Sequence, residues 1–191
     1  MSNQPQARAP LKAVVTGAAG FIGRRVVARL AEAGAHVLAV DRMPAPDGMP
    51  PAVEFRRVDL GAGNDWLPPG GQAGFVLVHL AWNMNRTDAR EQAASATDFS
   101  RLLEALSARG LHGVVGLGSA EEYGELEGRL REDMAPGLRL SIYGRAKHGA
   151  CQDLAAWARG TGRKAIWLRP FVVYGPGQGG DMVIPYALRC A

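Results

Sequence analysis

The chain has 191 residues, 47% of them hydrophobic and 21% charged, with a formal net charge of +4; that balance predicts that the chain as a whole is one soluble globular domain rather than a disordered tail, and no apolar stretch approaches the length of a membrane span. A domain of this size removes roughly 70% of its unfolded surface from water and needs no staple, and its two cysteines (Cys151, Cys190) and four histidines (His36, His79, His112, His148) lack disulfide or metal-ligand spacing, so no metal is expected and a reducing cytoplasm is the expected compartment. The 22 Lys and Arg residues form no basic run and no aromatic-interleaved platform, which argues against a nucleic-acid partner.

In chain order, residues 1–10 are polar with two prolines and read as a short disordered arm, not a signal peptide. Leu11 to Thr16 is an apolar run that meets glycines, and Phe21 to Ala33 places Phe21, Ile22, Val26, Val27 and Leu30 on one helical face before Gly34. A second strand is predicted over His36–Val40, a loop over the proline-rich Met43–Pro51, and a third strand over Val53–Val58. After the glycine and proline cluster around Pro68–Gly74, the near-continuous hydrophobicity of Phe75–Leu80 predicts a strand buried on both faces, as in a parallel sheet. A helix over Ala89–Ala108, a strand over Gly113–Gly118, a helix over Ser141–Arg159 and a strand over Lys164–Leu168 continue the alternation, with a glycine-rich loop over Tyr174–Asp181. Such alternation predicts a doubly wound α/β sheet that binds nucleotide at the carboxyl ends of its strands.

The first strand–helix turn reads Thr16-Gly17-Ala18-Ala19-Gly20-Phe21-Ile22-Gly23, which sets backbone N–H groups and a helix N-terminus against a pyrophosphate. Spacing alone is weak evidence. With 25 glycines, a G-x-x-G-x-x-G arises by chance about 0.4 times per chain, and a second copy occurs at Gly110, Gly113 and Gly116. That copy leads into a strand instead of joining strand to helix, so it is assigned to loop and packing. Asp41, at the end of the second strand, is placed to accept hydrogen bonds from the adenosine ribose and favours NAD; Arg42 beside it could instead meet the 2′-phosphate of NADP.

Tyr143 and Lys147 lie four residues apart, on one face of the helix that follows the fifth strand. A Tyr-x-x-x-Lys arises by chance about 0.06 times in a chain of this composition. An ammonium about 4 Å from the phenol is worth on the order of 4 kcal/mol at an effective dielectric of 20. This leads to the expectation that Lys147 draws Tyr143 from about 10 toward 7, against opposing desolvation, and lets it work as a base.

Together with Thr-Gly-x-x-Gly-x-x-Gly and Tyr-x-x-x-Lys, three further segments carry a resemblance: His79-Leu80-Ala81, Ser119-Ala120-Glu121-Glu122-Tyr123-Gly124, and Leu168 through Pro176. The chain from Leu11 onward resembles the extended short-chain dehydrogenase/reductases, specifically the NAD-dependent epimerase/dehydratase family that acts on nucleotide sugars. The resemblance implies a Rossmann fold, a three-layer α/β/α arrangement, over residues 11–181. It implies that Tyr143 removes the proton of a sugar hydroxyl while hydride leaves the same carbon for the nicotinamide, that Lys147 holds the nicotinamide ribose, and that Ser119 binds the reacting oxygen. By the same matching Asp59 and Leu60 flank the adenine, Leu80, Ala81 and Trp82 line the cofactor, and Pro170 closes over the nicotinamide. Trp82 replaces the small residue common there, which implies a tighter pocket. Glu121 stands where a carboxylate acts as acid/base in sugar 4,6-dehydratases, though decarboxylases, reductases and epimerases of the family also carry it. Ala120 lacks the neighbouring acid of the dTDP-glucose type, and Val172 stands where an asparagine often meets substrate.

Family members usually continue into a small carboxyl-terminal domain that grips the sugar nucleotide, and residues 182–191 resemble the start of that region. Two functions are therefore expected to compete: an NAD(P)-dependent nucleotide-sugar enzyme, and an NAD-binding module without turnover that serves as a binding or interaction partner. The resemblance also implies a homodimer formed through the helices Ala89–Ala108 and Ser141–Arg159.

Overall fold

The computed structural model describes residues 10–63, 65–68, 74–180 and 182–190. The predicted N-terminal arm up to residue 9, residues 69–73 of the expected glycine–proline loop, Asp181 and Ala191 lie outside the described residues.

Six strands, β1 (Lys12–Thr16), β2 (His36–Asp41), β3 (Glu54–Arg57), β4 (Phe75–His79), β5 (Leu111–Leu117) and β6 (Lys164–Leu168), form one sheet in the order β3-β2-β1-β4-β5-β6. Every neighbouring pair is parallel. Strand order reverses between β1 and β4, where Thr16 pairs with His79; ligands bind in the crevice that such a reversal opens at the carboxyl edge.

Residue parity divides the interior. Val14, Val40, Leu77 and Val114 point to one face, where α2 (Ala89–Ser107) and α3 (Ile142–Thr161) bring Phe99, Leu102, Leu103, Leu106, Ala150 and Leu154 against them. Val15, Val37 and Ala39 point to the other, where α1 (Phe21–Glu32) supplies Val27. This is the three-layer arrangement expected from alternating strands and helices, with a period of 2 on the sheet meeting a period of 3.6 on the helices. Complete burial of Phe99 and Leu106 contributes about 1.5–3 kcal/mol each.

Helix starts follow their capping residues. Asp88 accepts from the backbone N–H groups of Arg90 and Glu91 at the head of α2, and Ser141 accepts from Gly144 at the head of α3. Helix α3 runs to Thr161, two residues beyond expectation, and stops at Gly162 in the left-handed region with φ 66°. Strand β5 starts at Leu111, so Gly113 and Gly116 of the second glycine trio belong to the strand itself. A Cβ at Gly116 would collide with the Trp167 ring on β6, so this glycine makes room for an indole between strands.

The chain beyond β6 crosses back toward α1, where Arg25 donates to the Pro176 carbonyl at 3.1 Å. It ends in α4 (Val183–Cys190), none of whose described residues is buried.

Candidate active site

The glycine loop is shaped by what its backbone touches. Gly17 has φ 70°, and a Cβ there would lie 2.6 Å from the Ala81 nitrogen and 2.7 Å from the Leu80 carbonyl carbon. The loop therefore lies flush on the backbone that leaves β4. At Gly23 a Cβ would collide with the Gly17 carbonyl, so α1 can start this close to β1 only with glycine there. Gly20 is the first cap of α1, no side chain accepts from the amides behind it, and the first turn carries no acid. The free N–H groups at Phe21, Ile22 and Gly23 together with the helix dipole suit a diphosphate.

Asp41 ends β2 beside this loop. Its Oδ2 accepts from the Ala19 amide and its Oδ1 from the Met43 amide, each at 2.9 Å, which leaves lone pairs on both oxygens for a ribose diol. Arg42 is exposed next to it. Asp59 caps a short 3-10 turn, accepting from Gly61 at 3.0 Å, and Leu60 in that turn packs against the larger core. A concave backbone, an anion-binding helix end and an acid at the next strand end fit a dinucleotide.

The reactive end of the edge is built from side chains. Ser119 leaves β5 as the cap of a 3-10 turn, Ala120–Tyr123; its Oγ accepts from the Glu121 amide at 3.2 Å, and its hydroxyl proton remains available to a ligand oxygen. Pro170 is tied to the same turn, its carbonyl accepting from the Ala120 amide at 3.0 Å. Tyr143 and Lys147 are both buried on α3, one turn apart. The expected coupling between them is not what the fold provides. Lys147 Nζ donates to the Leu117 carbonyl at 2.7 Å and sits 3.8 Å from the Trp82 ring centre, but 5.7 Å from that of Tyr143. Burial drives the ammonium down to about 7, with Arg86 adding to the fall and Glu122 opposing it. Tyr143 moves upward, chiefly by burial, with Arg86 opposing and Glu121 and Glu122 reinforcing the rise. Desolvation disfavours the charged form of both groups and exceeds the attraction counted on from the sequence.

Trp82 takes a definite place in this arrangement. Its Nε1 donates to Gln92 Oε1 at 2.7 Å, which holds the indole as a lid on Lys147, where a cation–π contact offsets part of the ammonium's desolvation. Leu80 continues the strand, its amide donating to the Thr16 carbonyl at 3.1 Å. Beneath it His79 is buried, shares a hydrogen bond of 2.8 Å with Thr16 Oγ1 and stacks on Phe99. Burial, aided by Lys147, lowers its pKa to about 3.

Two groups were not among the sequence-derived candidates. Glu122 is fully buried and accepts from the Ser119 amide at 2.7 Å, from Trp167 Nε1 at 3.0 Å and from Arg169 Nε at 3.1 Å. It ties the ends of β5 and β6 together and orients the Ser119 backbone. The only sequence signal was an acid in the position just before Tyr123, inside an otherwise strand-terminal turn. The second is Arg86, whose guanidinium lies 4.5 Å from the Tyr143 ring centre and pairs with Glu121 Oε1 at 2.8 Å. Glu121 Oε2 accepts from Ser141 Oγ at 2.6 Å, so both of its oxygens are engaged.

The sequence profile of the NAD dependent epimerase/dehydratase family matches residues 13–191. The chain belongs to that family. Over 172 residues it is 30% identical to the ADP-L-glycero-D-manno-heptose-6-epimerase of Cupriavidus pinatubonensis, a match that covers 86% of this chain and 52% of that protein. The solved structure of MoeE5 in complex with UDP-glucose and NAD superposes with a TM-score of 0.80 at 36% identity, covering 94% of this chain and 60% of the other. The UDP-glucuronic acid 4-epimerase from Bacillus cereus in complex with NAD gives 0.74 at 28%, covering 90% and 60%. The chain thus spans a little over half the length of these epimerase/dehydratase relatives.

Proposed function

We propose that this epimerase/dehydratase-family chain binds NAD, with NADP as the alternative, and acts on a nucleotide sugar through Ser119, Tyr143 and Lys147. The observation that supports the reading is the packing of the head of α3, which carries Tyr143 and Lys147, against the end of β5, where Ser119 caps the following turn: Lys147 Nζ donates to the Leu117 carbonyl at 2.7 Å, and a Cβ at Gly144 would meet the Glu121 carbonyl. The amides of Phe21, Ile22 and Gly23 would hold the diphosphate over the loop that Gly17 and Gly20 shape, where the Gly20 amide donates to the Gly17 carbonyl at 3.1 Å; Asp41 would hold the adenosine ribose, and Arg42 a 2′-phosphate if one is present. Asp59 and Leu60 would flank the adenine, Leu80, Ala81, Trp82 and Pro170 would line the nicotinamide end, and Lys147 would reach its ribose. When bound, the nicotinamide supplies the hydride acceptor or donor.

Burial keeps Tyr143 in its phenol form at rest; as the phenol it donates its proton to a keto oxygen, and in the opposite direction only its phenolate form takes the proton from a sugar hydroxyl. The Ser119 hydroxyl donates to that same oxygen and supports its developing charge. Lys147, near 7, is partly protonated at neutral pH, so it can exchange a proton with bound hydroxyl groups. Glu121 is the candidate acid/base for loss of water, a role in which it would first have to release Arg86 and Ser141. A homodimer through α2 and α3, in the cytoplasm, completes the reading and is supported by the family resemblance; sedimentation tests the dimer.

Calorimetric titration with NAD and NADP, repeated with UDP-, GDP- and dTDP-sugars present, tests the proposal. NAD binding followed by a sugar-nucleotide response is expected. NAD binding without that response would favour a cofactor-binding module without turnover, and binding of neither would overturn the reading of the glycine loop.

A further inference from the structure

We propose that Arg86 is a positioning cation that favours the phenolate of Tyr143 in addition to Lys147, and that Glu121 is its tether. The consequence for turnover rests on the function proposed above; the electrostatic claim stands on geometry alone. The loop between β4 and α2 is built to deliver this arginine. Buried Gln92 donates from Nε2 to the carbonyls of Asn83 and Asn85, each at 3.0 Å, and accepts from Trp82 through Oε1. The Asn85 amide donates to Asn83 Oδ1 at 2.8 Å, and the Asn83 amide to Ser95 Oγ at 3.2 Å. The residues leading up to Arg86 are thus pinned to α2, and the guanidinium is carried over the Tyr143 ring.

A long side chain standing half in solvent loses rotamer freedom when it is held in one place. Glu121 supplies the hold. One oxygen takes the guanidinium and the other accepts from Ser141 Oγ, and Ser141 also caps α3 by accepting from the Gly144 amide at 2.9 Å. The chain of contacts runs from the loop, through the 3-10 turn, to the helix start that carries Tyr143. Lys147, the cation expected for this task, donates to the Leu117 carbonyl and lies against the Trp82 ring, with its Nζ 5.7 Å from the centre of the Tyr143 ring.

The charged groups that face the phenol are Arg86 from the β4–α2 loop, Glu121 and Glu122 from the 3-10 turn, and Lys147 on its own helix. Arg86 favours the phenolate, and the two glutamates oppose it. As a positioning residue, Arg86 acts on the sugar only through Tyr143.

The test is the phenolate absorbance titration of Tyr143, obtained as the difference between the chain and its Tyr143→Phe variant, with neither cofactor nor sugar present. Arg86→Gln is expected to move that midpoint upward, and an unchanged or lowered midpoint would overturn the assignment. Glu121→Ala separates tether from bystander by a double-mutant cycle with Arg86→Gln. If Glu121 holds Arg86 in place, its loss also frees the arginine, which offsets the relief of repulsion, so the midpoint rises or falls less than it does when Arg86 is absent; equal falls in the two backgrounds overturn the tether. In the Arg86→Gln background the same substitution is expected to lower the midpoint, since only repulsion is left to remove. Failure of these titrations would leave NAD binding untouched, and failure of NAD binding would leave the titrations readable.

Discussion

The two ends of the sheet's carboxyl edge are made in different ways. At the glycine loop the surface offered to a ligand is backbone: amides at the head of α1, a carbonyl, and glycines whose missing Cβ atoms are the shape of the site. At the head of α3 it is side chains, with Tyr143 and Lys147 drawn out of water and a ring of charges, Arg86, Glu121 and Glu122, set around them. A backbone site is specified by chain geometry, so its residue types are few and its spacing is rigid. The side-chain site is specified by competition between burial and charge, so moving one long arginine changes it.

The sharpest separation of the two ends is Tyr143→Phe. It is expected to lower turnover by about 10²–10⁴-fold, the usual span for a positioned acid/base group, while calorimetric NAD affinity stays as it was. Activity that survives this change would break the mechanism. Next in size is Glu122→Ala, which leaves the Arg169 guanidinium without its buried partner; denaturant unfolding should show a loss of about 3 kcal/mol. Gly23→Val acts at the other end. The new side chain must displace α1 from the Gly17 carbonyl, with an expected cost of about 1–3 kcal/mol in thermal unfolding and loss of NAD binding, yet with little movement of the Tyr143 titration. A large movement there would show that the two ends are not independent.

Taken per pH unit, the smallest effects are those of pH on stability, and their sign follows from burial. Lys147 binds its proton less well folded, at about 7, than unfolded, near 10.5. Between those values the unfolded chain holds the extra proton, so stability rises with pH by up to about 1.4 kcal/mol per unit, and Lys147→Met should remove that rise. His79 does the same on the acid side, with about 3 folded against 6.5 unfolded. Stability is lost as pH falls through that window, and the loss should be absent from a His79→Phe variant.

The backbone end was almost wholly legible in the sequence, because each part of it is local. Gly17 to Gly23 and the apolar run before them lie within a dozen residues, and Asp41 closes the next strand. The six strands and three main helices follow from the same short-range periods, with shifts of only a few residues at Leu111, Thr161 and the ends of β3. At the other end, residue types and positions were legible but their energetics were not. The pairing of Tyr143 with Lys147 was inferred from helical spacing, which places two side chains on one face without saying what else packs there. Trp82, Leu117 and Arg86 arrive from strand ends and loops far along the chain; the first two decide where the ammonium points, and the third lies over the Tyr143 ring. Glu122 shows the same limit: its partners Trp167 and Arg169 lie 45 and 47 residues away, and only the β5–β6 pairing brings them to it.

The indole that covers Lys147 also gives the molecule a built-in optical probe. A protonated amine 3.8 Å from the Trp82 ring centre perturbs the excited state of that ring differently from a neutral one. Tryptophan emission followed through neutral pH should therefore report the charge on Lys147, and a ligand that separates the two groups should change the colour or brightness of the protein without any label attached.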